Sequence, residues 1–527
     1  MILNTIPGES HIPVSIIPTD EQQEPTRDAA AAGSRAAGLA GPRFPTSTIL
    51  LLLIAIAAAV LRFSHLTDKS LWFDEGFSVG IARLGWYDFL QLLARRELNM
   101  APYYLLLRGW LELGRSEFFV RSLSVLAALA TLPALYQLGK RLFDARVGLT
   151  AALLLAVNAY HVRYSQEARS YTLLVLLCVL SSLWLIKAVE TPARRTWLAY
   201  TVLSVLVIYC HFYGVFVVAA QWASLLFLRR HHLAAREFLR SAIWVVLLCV
   251  PIAITLLFSG SSGLQFVRPT TAAGLWQFLV SFAGNGGGLL IAAHAIALAA
   301  ATAAAGTALR KHGRSFEFWR YGLPFSWLTL PMAMVLAGSL ARPMFVGRYL
   351  IGSLPALMLL SAAGICRLRP AALRVAVVVI LGFLSLRGVA AYYQRDFDLV
   401  RDDWRSASRH VLISASPGDA VFFYTAPGRM PFDYYRWLEG KSASDPLVIY
   451  PAHAERLNYR DFLVEPLAEI LPTVPTHHRR VWLVLNQHGG PERPDMGSQV
   501  MRAWFGQRYT LSGEQDFSGI EVLLYSK

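Results

Sequence analysis

Long apolar runs recur along this chain at a length that fits the hydrocarbon core of a membrane. A helix needs about 20 residues to cross roughly 30 Å of hydrocarbon, and runs of this order are separated by short polar segments. We therefore predict eleven membrane-spanning helices, at about 47–63, 118–138, 146–160, 168–188, 197–212, 214–228, 241–258, 288–308, 322–340, 348–365 and 371–391.

The positive charges between these runs predict how the chain is threaded through the membrane. Cytoplasmic loops carry an excess of Lys and Arg, and every second loop of this chain is basic, whereas the short loops Tyr209–Gly214 and Ser259–Gly287 hold almost no basic residue. We expect a multi-pass protein of the plasma (inner) membrane with its N-terminus in the cytoplasm. The basic loops lie around Lys140, Arg195, Arg230, Arg310 and Arg367.

Two segments before the second span do not follow the pattern of short loops. Residues 1–46 are rich in Pro, Ala and Gly and are predicted to be a disordered cytoplasmic tail. The predicted transmembrane domain covers 47–394 and includes a long first external loop, 64–117. Amphipathic stretches such as Phe77–Leu93 predict that this loop contains helices lying in the membrane interface.

The C-terminal part, 395–527, has a different pattern. Strand-like runs alternate there with helical stretches such as Trp404–Ser414. This alternation predicts a small α/β domain, which the odd number of spans places outside the cytoplasm. The strand-like runs are Ala420–Tyr424, Leu447–Tyr450, Val481–Leu485 and Val522–Tyr525.

Composition supports a chain that is solvated largely by lipid. Hydrophobic residues make up 55% of the sequence and charged residues 16%, which is typical of a membrane protein. The net charge of +15 does not indicate a nucleic-acid partner, because the basic residues are divided among short clusters between apolar runs.

Two adjacent carboxylates follow the first predicted span, within Leu71–Ser78. Asp74 and Glu75 are flanked by aromatic residues close to the outer membrane surface. A partly desolvated carboxylate has a raised pKa and can accept a proton from an attacking group, so both are candidate catalytic residues. A solvated interfacial loop with aromatic anchors is the alternative interpretation.

The second external loop, Asn158–Tyr171, is dense in polar side chains between two predicted spans. Charged groups at this depth are costly unless they pair or face water, so they indicate a binding site. A structural ion pair of Glu167 with Arg163 or Arg169 is the alternative. The candidate substrate-binding residues of this loop are Arg163, Gln166, Glu167, Arg169 and Tyr171.

Further candidates come from other outer loops. Arg348 can hold a phosphate through forked hydrogen bonds and Tyr349 adds a donor, although interfacial anchoring also explains such a pair. Tyr103 and His211 complete the candidate set, although a lone histidine among aromatic residues often has a packing role.

All of these polar clusters are predicted to lie on one face of the membrane. A transporter would instead need polar groups near the middle of the bilayer.

Taken in order, these segments resemble the GT-C class of membrane glycosyltransferases, in particular the bacterial branch related to protein O-mannosyltransferases and lipid A aminoarabinose transferases. The resemblance covers most of residues 47–425. It departs from the family pattern at Asn99–Ala101, where many relatives carry His-Pro. It is carried by Leu71–Ser78, Pro102–Leu107, Phe118–Ser122, Tyr164–Tyr171, His211–Gly214, Arg348–Leu359 and Asp403–Arg405.

The resemblance implies a GT-C-like polytopic α-helical fold and an inverting transfer on the outer face of the membrane. The donor would be a polyprenyl-phosphate sugar, and the acceptor a lipid, polysaccharide or protein of the cell envelope. Asp74, with Glu75 beside it, corresponds to the general base, while Arg169 and Arg348 correspond to arginines that hold the donor phosphate. No cofactor and no catalytic metal are implied, because cations can stabilise the departing phosphate.

Two other classes of function are alternatives to a glycosyltransferase. A flippase or transporter of lipid-linked saccharides would use charged groups at the helix centres, which are almost free of charge here. A membrane scaffold whose outer domain binds a partner would leave the Asp-Glu pair unexplained.

The predicted threading can be tested with a reporter that is active only outside the cytoplasm. A fusion after Tyr525 is expected to be active, because an odd number of spans carries the chain from a cytoplasmic N-terminus to the outside. A fusion after Arg314, in a basic loop, is the control and should be silent. A silent Tyr525 fusion in a normally expressed protein would contradict the predicted threading.

Overall fold

The computed structural model describes residues 45–229, 234–258, 267, 269–394, 402–440, 446–452, 470–486, 489–490 and 493–527. The chain divides into two units, 1–48 and 49–527, and nearly all of the described residues belong to the second. The predicted tail, 1–46, lies outside the described residues except for its last two positions. Part of the predicted loop Ser259–Gly287 also lies outside them.

The described chain is mainly α-helical and has eight helices that are long and apolar enough to cross a membrane. A ninth crossing results if Ala145–Val157 and Ala159–Ser165, which meet at an angle of 63°, form one broken span. The chain is therefore a multi-pass membrane protein. The eight helices are Thr46–Phe63, Glu117–Leu142, Tyr171–Glu190, Ala235–Leu257, Gly287–His312, Phe316–Ala341, Gly347–Ile365 and Ala371–Gln394.

Eleven spans were predicted, and the described residues provide eight or nine. The two remaining predicted spans are helical but shorter: Arg194–Cys210 has 17 residues, and Gly214–Phe227 follows it after a turn around His211. Another short apolar helix, Ala272–Ala283, lies where a loop was predicted. Hydropathy reports the apolar content of a run, whereas the positions of turns decide whether the run is one long helix.

The break between Ala145–Val157 and Ala159–Ser165 is stabilised by a buried arginine. The end of a helix leaves carbonyl groups without partners inside that helix. Arg62, at the end of the first span, donates from Nη2 to the carbonyl of Leu155 at 3.3 Å and from Nη1 to that of Ala156 at 2.9 Å.

The first loop contains three helices. Phe73–Arg83, called the Asp74 helix below, is followed by Trp86–Arg95 and Ala101–Leu111. The amphipathic stretch predicted at Phe77–Leu93 is thus two helices, which are separated at Leu84 and Gly85. The second of them exposes Trp86, Tyr87 and Leu90, as expected for a helix at a membrane interface.

The C-terminal part forms a five-stranded mixed sheet with helices, as the sequence predicted. The strand order is Leu447–Tyr450, Ala420–Tyr424, Arg480–Leu485, Ile520–Ser526 and Thr510–Phe517. The first three strands are parallel and the last two join in antiparallel pairs. Thr510–Phe517 was not predicted, because this edge strand is mostly exposed and lacks an apolar run. Within the described residues of this part, the α-helices are Trp404–Ser414, Arg429–Leu438 and Met496–Gly506.

The C-terminal part and the first loop share one hydrophobic core. Helix Arg429–Leu438, called the cover helix below, packs on the Asp74 helix. Phe77 of the Asp74 helix and Met430 and Tyr434 of the cover helix are buried in the same cluster. The first loop and the C-terminal part therefore lie on the same side of the membrane.

Close packing between spans generates a stability prediction. A Cβ added to Gly364 would collide with the backbone of Ala297 on the neighbouring span. Gly364→Ala is therefore expected to lower the unfolding free energy by about 1–3 kcal/mol, as overpacking does elsewhere. The thermal midpoint in detergent measures this effect. Gly306→Ala is the matched control, because a Cβ there has no neighbour within 4 Å, and equal midpoints for the two variants would contradict the prediction.

Candidate active site

Asp74 lies in the first turn of the Asp74 helix, where the helix N-terminus favours negative charge. Its side chain is 17% exposed and faces two arginines from distant parts of the chain. Asp74 Oδ2 is 4.0 Å from Arg169 Nε and 4.0 Å from Arg348 Nη2. These separations exceed the roughly 2.7–2.9 Å of a charge-assisted hydrogen bond. The three side chains thus converge, and their charges attract without a direct hydrogen bond.

Arg169 is tied to the Asp74 helix by its other donors. Its Nη1 donates to the backbone carbonyl of Asp74 and to Ser78 Oγ, both at 3.2 Å. Burial alone would lower the pKa of Arg169, but the charge of Asp74 and nearby tyrosine hydroxyls raise this pKa well above its ordinary value. Arg169 is therefore a fixed cation at the start of the Asp74 helix.

Arg348 and Tyr349 lie in the 3₁₀ turn Gly347–Ser353, which leads into helix Leu354–Ile365. The Arg348 guanidinium is 5.5 Å from the centre of the Tyr349 ring and 5.9 Å from that of Trp72. Both separations permit cation–π attraction. Aromatic rings therefore flank the second cation of the site.

His211 lies next to Tyr349, with 4.5 Å between the ring centres. Its Nδ1 accepts a hydrogen bond from the backbone N–H of Tyr213 at 3.2 Å. Burial, followed by the positive charges of Arg169 and Arg348, lowers the pKa of His211 to about 3. The ring is therefore neutral at physiological pH and carries its proton on Nε2.

Four buried donors near Asp74 have no hydrogen-bond partner among the described residues. Trp72 lies beside Arg348, and Tyr171 is in electrostatic contact with both site arginines. A buried donor without an acceptor costs about 1–3 kcal/mol, so four of them in one region indicate a place for an oxygen-rich anion. The four atoms are Trp72 Nε1, Arg169 Nε, Tyr171 Oη and Arg348 Nε.

Glu75 has a different environment from Asp74. It is fully buried, and its carboxylate accepts hydrogen bonds from Arg121 Nε at 2.8 Å and Arg121 Nη2 at 2.7 Å. It also accepts from the backbone N–H of Ala168 at 2.9 Å. A carboxylate held in this way is a structural ion pair, so the geometry favours Asp74 over Glu75 as the group that can meet a substrate.

Four other candidates have mainly supporting contacts. Gln166 Nε2 donates to the carbonyls of Arg62 and Ser64 at 3.0 and 2.7 Å. Arg163 and Glu167 lie 3.8 Å apart, which agrees with the alternative of a structural ion pair. Tyr103 Oη is 3.1 Å from Ser124 Oγ, which donates to the carbonyl of Arg169 at 3.2 Å. Of these contacts, the Tyr103–Ser124 pair supports the backbone at Arg169.

A third carboxyl group lies near Asp74 and Arg169. Glu97 Oε2 accepts a hydrogen bond from Tyr104 Oη at 3.3 Å. Burial raises the pKa of Glu97 to about 8, against the lowering effects of Arg169 and the Tyr104 hydroxyl, and the charge of Asp74 raises it further. Glu97 therefore holds a proton at neutral pH beside an ionisable site.

Asn99, at the point where the chain departs from the family pattern, links two loops. Its Oδ1 accepts from the backbone N–H of Phe212 at 2.9 Å, and the N–H of Met100 donates to the carbonyl of Tyr209 at 2.9 Å. The departure from His-Pro thus coincides with a backbone contact beside His211.

Sequence reasoning assigned no role to Arg121, Ser78 or Trp72. Arg121 had a detectable signal, because an arginine among the apolar residues that begin the span Glu117–Leu142 needs a buried partner. Ser78 had no comparable signal, since its contact with Arg169 depends on how distant segments pack. Among the described residues, no group of three or more His, Cys, Asp or Glu side chains lies close enough together to hold a metal ion.

Comparison with known proteins agrees with this architecture. Residues 100–257 match the family model described as dolichyl-phosphate-mannose-protein mannosyltransferase. No curated protein sequence matches the chain significantly.

Among solved structures, the chain is similar to ArnT from Cupriavidus metallidurans in the apo state, with 11% identity, a TM-score of 0.62, and coverage of 91% of this chain and 98% of that chain. The same protein bound to undecaprenyl phosphate gives 13% identity, a TM-score of 0.57 and coverage of 90% and 97%. The apo oligosaccharyltransferase of Archaeoglobus fulgidus gives 10% identity, a TM-score of 0.52 and coverage of 83% and 69%. The chain thus has the fold of GT-C membrane glycosyltransferases, which confirms the resemblance at the level of fold.

The protonated Glu97 predicts a pH dependence of stability. A carboxyl group with a folded-state pKa of about 8 keeps its proton in the native protein after the unfolded chain has lost it. Unfolding therefore releases a proton, and stability falls as the pH rises from about 5 to about 8. Thermal midpoints across this range should decline less steeply in Glu97→Gln. Glu112→Gln, which changes an exposed glutamate of the same loop, is the control, and identical slopes in wild type and Glu97→Gln would contradict the prediction.

Proposed function

We propose that this protein is an inverting glycosyltransferase that moves a sugar from a polyprenyl-phosphate donor to an acceptor of the cell envelope. In this proposal the reaction takes place at the outer face of the membrane, the side on which the sequence predicts the first loop and the C-terminal part. The acceptor is a lipid, a polysaccharide or a protein.

One arrangement carries this proposal: a carboxylate between two arginines, with unpartnered donors around it. Asp74 Oδ2 is 4.0 Å from each guanidinium, and Trp72 and Tyr171 add donors at the same place. A phosphate monoanion or dianion has the oxygens to accept from these groups, and arginine binds phosphate through forked hydrogen bonds. The bound undecaprenyl phosphate of ArnT, a protein of the same fold, supports this class of donor.

The chemistry follows from the two kinds of charge. Asp74 accepts the proton of an acceptor hydroxyl or amine, whose oxygen or nitrogen attacks the anomeric carbon from the side opposite the phosphate. The bond between that carbon and the phosphate oxygen breaks, and its electron pair remains on polyprenyl phosphate. Arg169 and Arg348 stabilise the departing negative charge, which is where preorganised cations contribute most to rate.

The surrounding residues fit the same reaction. Neutral His211 adds no charge at the site and offers Nε2–H as a donor, while Tyr349 packs against it. The lipid part of the donor remains in the bilayer beside the spans, so only the head group has to enter the polar site. A lipid-linked saccharide flippase, the competing function, would move the same donor without breaking a bond.

The function is tested by supplying purified protein in lipid nanodiscs with polyprenyl-phosphate sugars that carry a labelled sugar. A panel of hexosyl, pentosyl and aminopentosyl donors is offered together with a cell-envelope fraction. Transfer of label to the envelope fraction, with release of polyprenyl phosphate, is the expected result. Mass spectrometry of envelope glycans and glycolipids from cells with and without the protein then identifies the product. Movement of the donor between leaflets with no transfer would favour the flippase.

Variants at the site should separate chemistry from donor binding. Asp74→Asn keeps the size of the side chain but cannot take a proton, so the transfer rate is expected to fall by about 10²–10⁴-fold with undecaprenyl phosphate binding unchanged. Arg348→Ala removes a phosphate contact and should weaken that binding about ten- to hundredfold. Native mass spectrometry with undecaprenyl phosphate measures the binding.

Changes of exposed residues in the first loop, outside residues 64–72, serve as controls. Glu112→Gln and Arg95→Ala should leave both transfer and binding near the wild-type values. Glu75→Gln leaves Arg121 without a buried counter-charge, which typically costs about 3–5 kcal/mol, so its loss of activity should accompany a loss of stability. Full activity in Asp74→Asn, with activity lost in a stably folded Glu75→Gln, would move the base to Glu75.

A further inference from the structure

The segment that precedes Asp74 depends on distant side chains for its shape. Residues 64–72, called the leader segment below, contain no helix or strand. On the membrane side, Arg121 donates to the carbonyls of Leu66, Lys69 and Ser70 at 2.7–3.0 Å. The other contacts of the leader segment described below come from the C-terminal part, more than 300 residues away in sequence.

Tyr435 of the cover helix is at the centre of these C-terminal contacts. The backbone N–H of Leu71 donates to Tyr435 Oη at 2.8 Å, and this hydroxyl donates to Glu117 Oε1 at 2.7 Å. Burial and the negative charge of Glu117 raise the pKa of Tyr435, so the hydroxyl keeps its proton and can serve as acceptor and donor together. Leu71 is three residues before Asp74.

Arg405 completes the same network from another helix. Its Nε donates to Glu117 Oε1 at 2.9 Å, and its Nη2 donates to the carbonyls of Thr67 at 2.6 Å and Lys69 at 3.2 Å. Ser70 Oγ donates to the carbonyl of Asp402 at 2.8 Å. The C-terminal part thus fixes the leader segment at several successive residues.

The Asp74 helix itself has little room to move against the cover helix. A Cβ added to Gly76 would lie 2.8 Å from the backbone nitrogen of Pro431 and 2.9 Å from the carbonyl carbon of Met430. Both neighbours are backbone atoms, which cannot rotate away. Glycine is therefore required two residues after Asp74, and the close contact sets the distance between the two helices.

We propose that Tyr435 and Arg405 are positioning residues that hold the Asp74 carboxylate in place for catalysis through the leader segment. This inference rests on the proposed function, because it assumes that Asp74 is the base. A displacement of a reacting group by about 1 Å can cost about 100-fold in rate, while donor binding by Arg169 and Arg348 needs no contact with Tyr435. The role of the C-terminal part is then catalytic support as well as packing.

The neighbouring tyrosine provides a matched control. Tyr434 lies on the same helix and is also buried, but its hydroxyl donates to the carbonyl of Arg115 at 2.9 Å, at the far end of the first loop. Tyr435→Phe and Tyr434→Phe each remove one hydroxyl from the contact between the cover helix and the first loop. Of the two variants, Tyr435→Phe removes a hydrogen bond to the leader segment and Tyr434→Phe does not.

The test compares kcat, the KM for the donor and undecaprenyl phosphate binding in the full-length protein in nanodiscs. Tyr435→Phe is expected to lower kcat about ten- to hundredfold, with KM and undecaprenyl phosphate binding close to wild type. Arg405→Gln should act in the same direction, and Arg405→Lys should recover part of the rate. Tyr434→Phe is expected to keep the wild-type kcat. Thermal midpoints are recorded for all variants.

Other results would contradict either the positioning role of Tyr435 and Arg405 or the proposed reaction at Asp74. A wild-type kcat in Tyr435→Phe, or equal losses in Tyr435→Phe and Tyr434→Phe, would overturn the positioning role while leaving the proposed function intact if Asp74→Asn is inactive. A raised KM with unchanged kcat would also overturn it. Full activity in Asp74→Asn would instead remove the assignment of Asp74 as the base, on which this inference rests, whereas the absence of any transfer by the wild-type protein would remove the proposed function itself. If Tyr435→Phe does not fold, Arg405→Gln and Arg405→Lys decide the matter by the same criteria.

Discussion

Glu75 and Arg121 are fully buried and share two hydrogen bonds, and the remaining donors of the arginine bind three carbonyls of the leader segment. Removing one partner of such a pair leaves an uncompensated charge in a medium that cannot solvate it. The pair joins the beginning of the Asp74 helix to the span Glu117–Leu142, and the contact of Glu75 with Ala168 N–H adds the loop that carries Arg169. The buried carboxylate of Glu75 therefore fixes the relative positions of the Asp74 helix, the span Glu117–Leu142 and the loop that carries Arg169.

The site combines strong charges with a low-polarity surrounding. Arg169, Arg348 and Asp74 lie among aromatic rings at the end of an apolar bundle, where attraction between charges is less screened than in water. His211 remains neutral in this field, and Glu97 retains a proton at neutral pH because burial raises its pKa to about 8. The site therefore contains two cations, Arg169 and Arg348, and the carboxylate of Asp74. In the proposed reaction the cations stabilise the departing phosphate and the carboxylate accepts a proton.

The shared fold does not by itself assign a reaction, since one fold supports many functions. The GT-C fold accounts for the bundle and for the placement of polar loops at one end. The proposed chemistry rests on Asp74 and the two arginines near it, and on donors that have no partner among the described residues. The C-terminal part adds a second support for the Asp74 helix, because the backbone of the cover helix packs so closely against Gly76 that a Cβ would not fit there.

Much of the architecture could be predicted from local sequence. Apolar runs specify helices because backbone groups inside a lipid bilayer must bond within their own segment, and each of the eleven predicted segments is at least partly helical. Short strand-like apolar runs likewise predicted four of the five strands of the C-terminal sheet. The Asp-Glu pair and the arginines of the outer loops were recognisable as costly residues at membrane depth.

Tertiary structure decided which of these residues meet and which way they face. Successive residues on a helix point about 100° apart, so adjacent carboxylates enter different environments: Asp74 faces Arg169 and Arg348, while Glu75 faces Arg121. Sequence adjacency cannot reveal this difference, because it depends on where the helix begins and on what packs against it.

The number of spans among the described residues differs from the predicted eleven for a similar reason. Turns near Asn158 and His211 interrupt apolar runs, and the sequence does not reveal where the chain turns. Contacts across hundreds of residues, such as that of Tyr435 with Leu71, leave no local pattern in the sequence and arise only when the chain is folded.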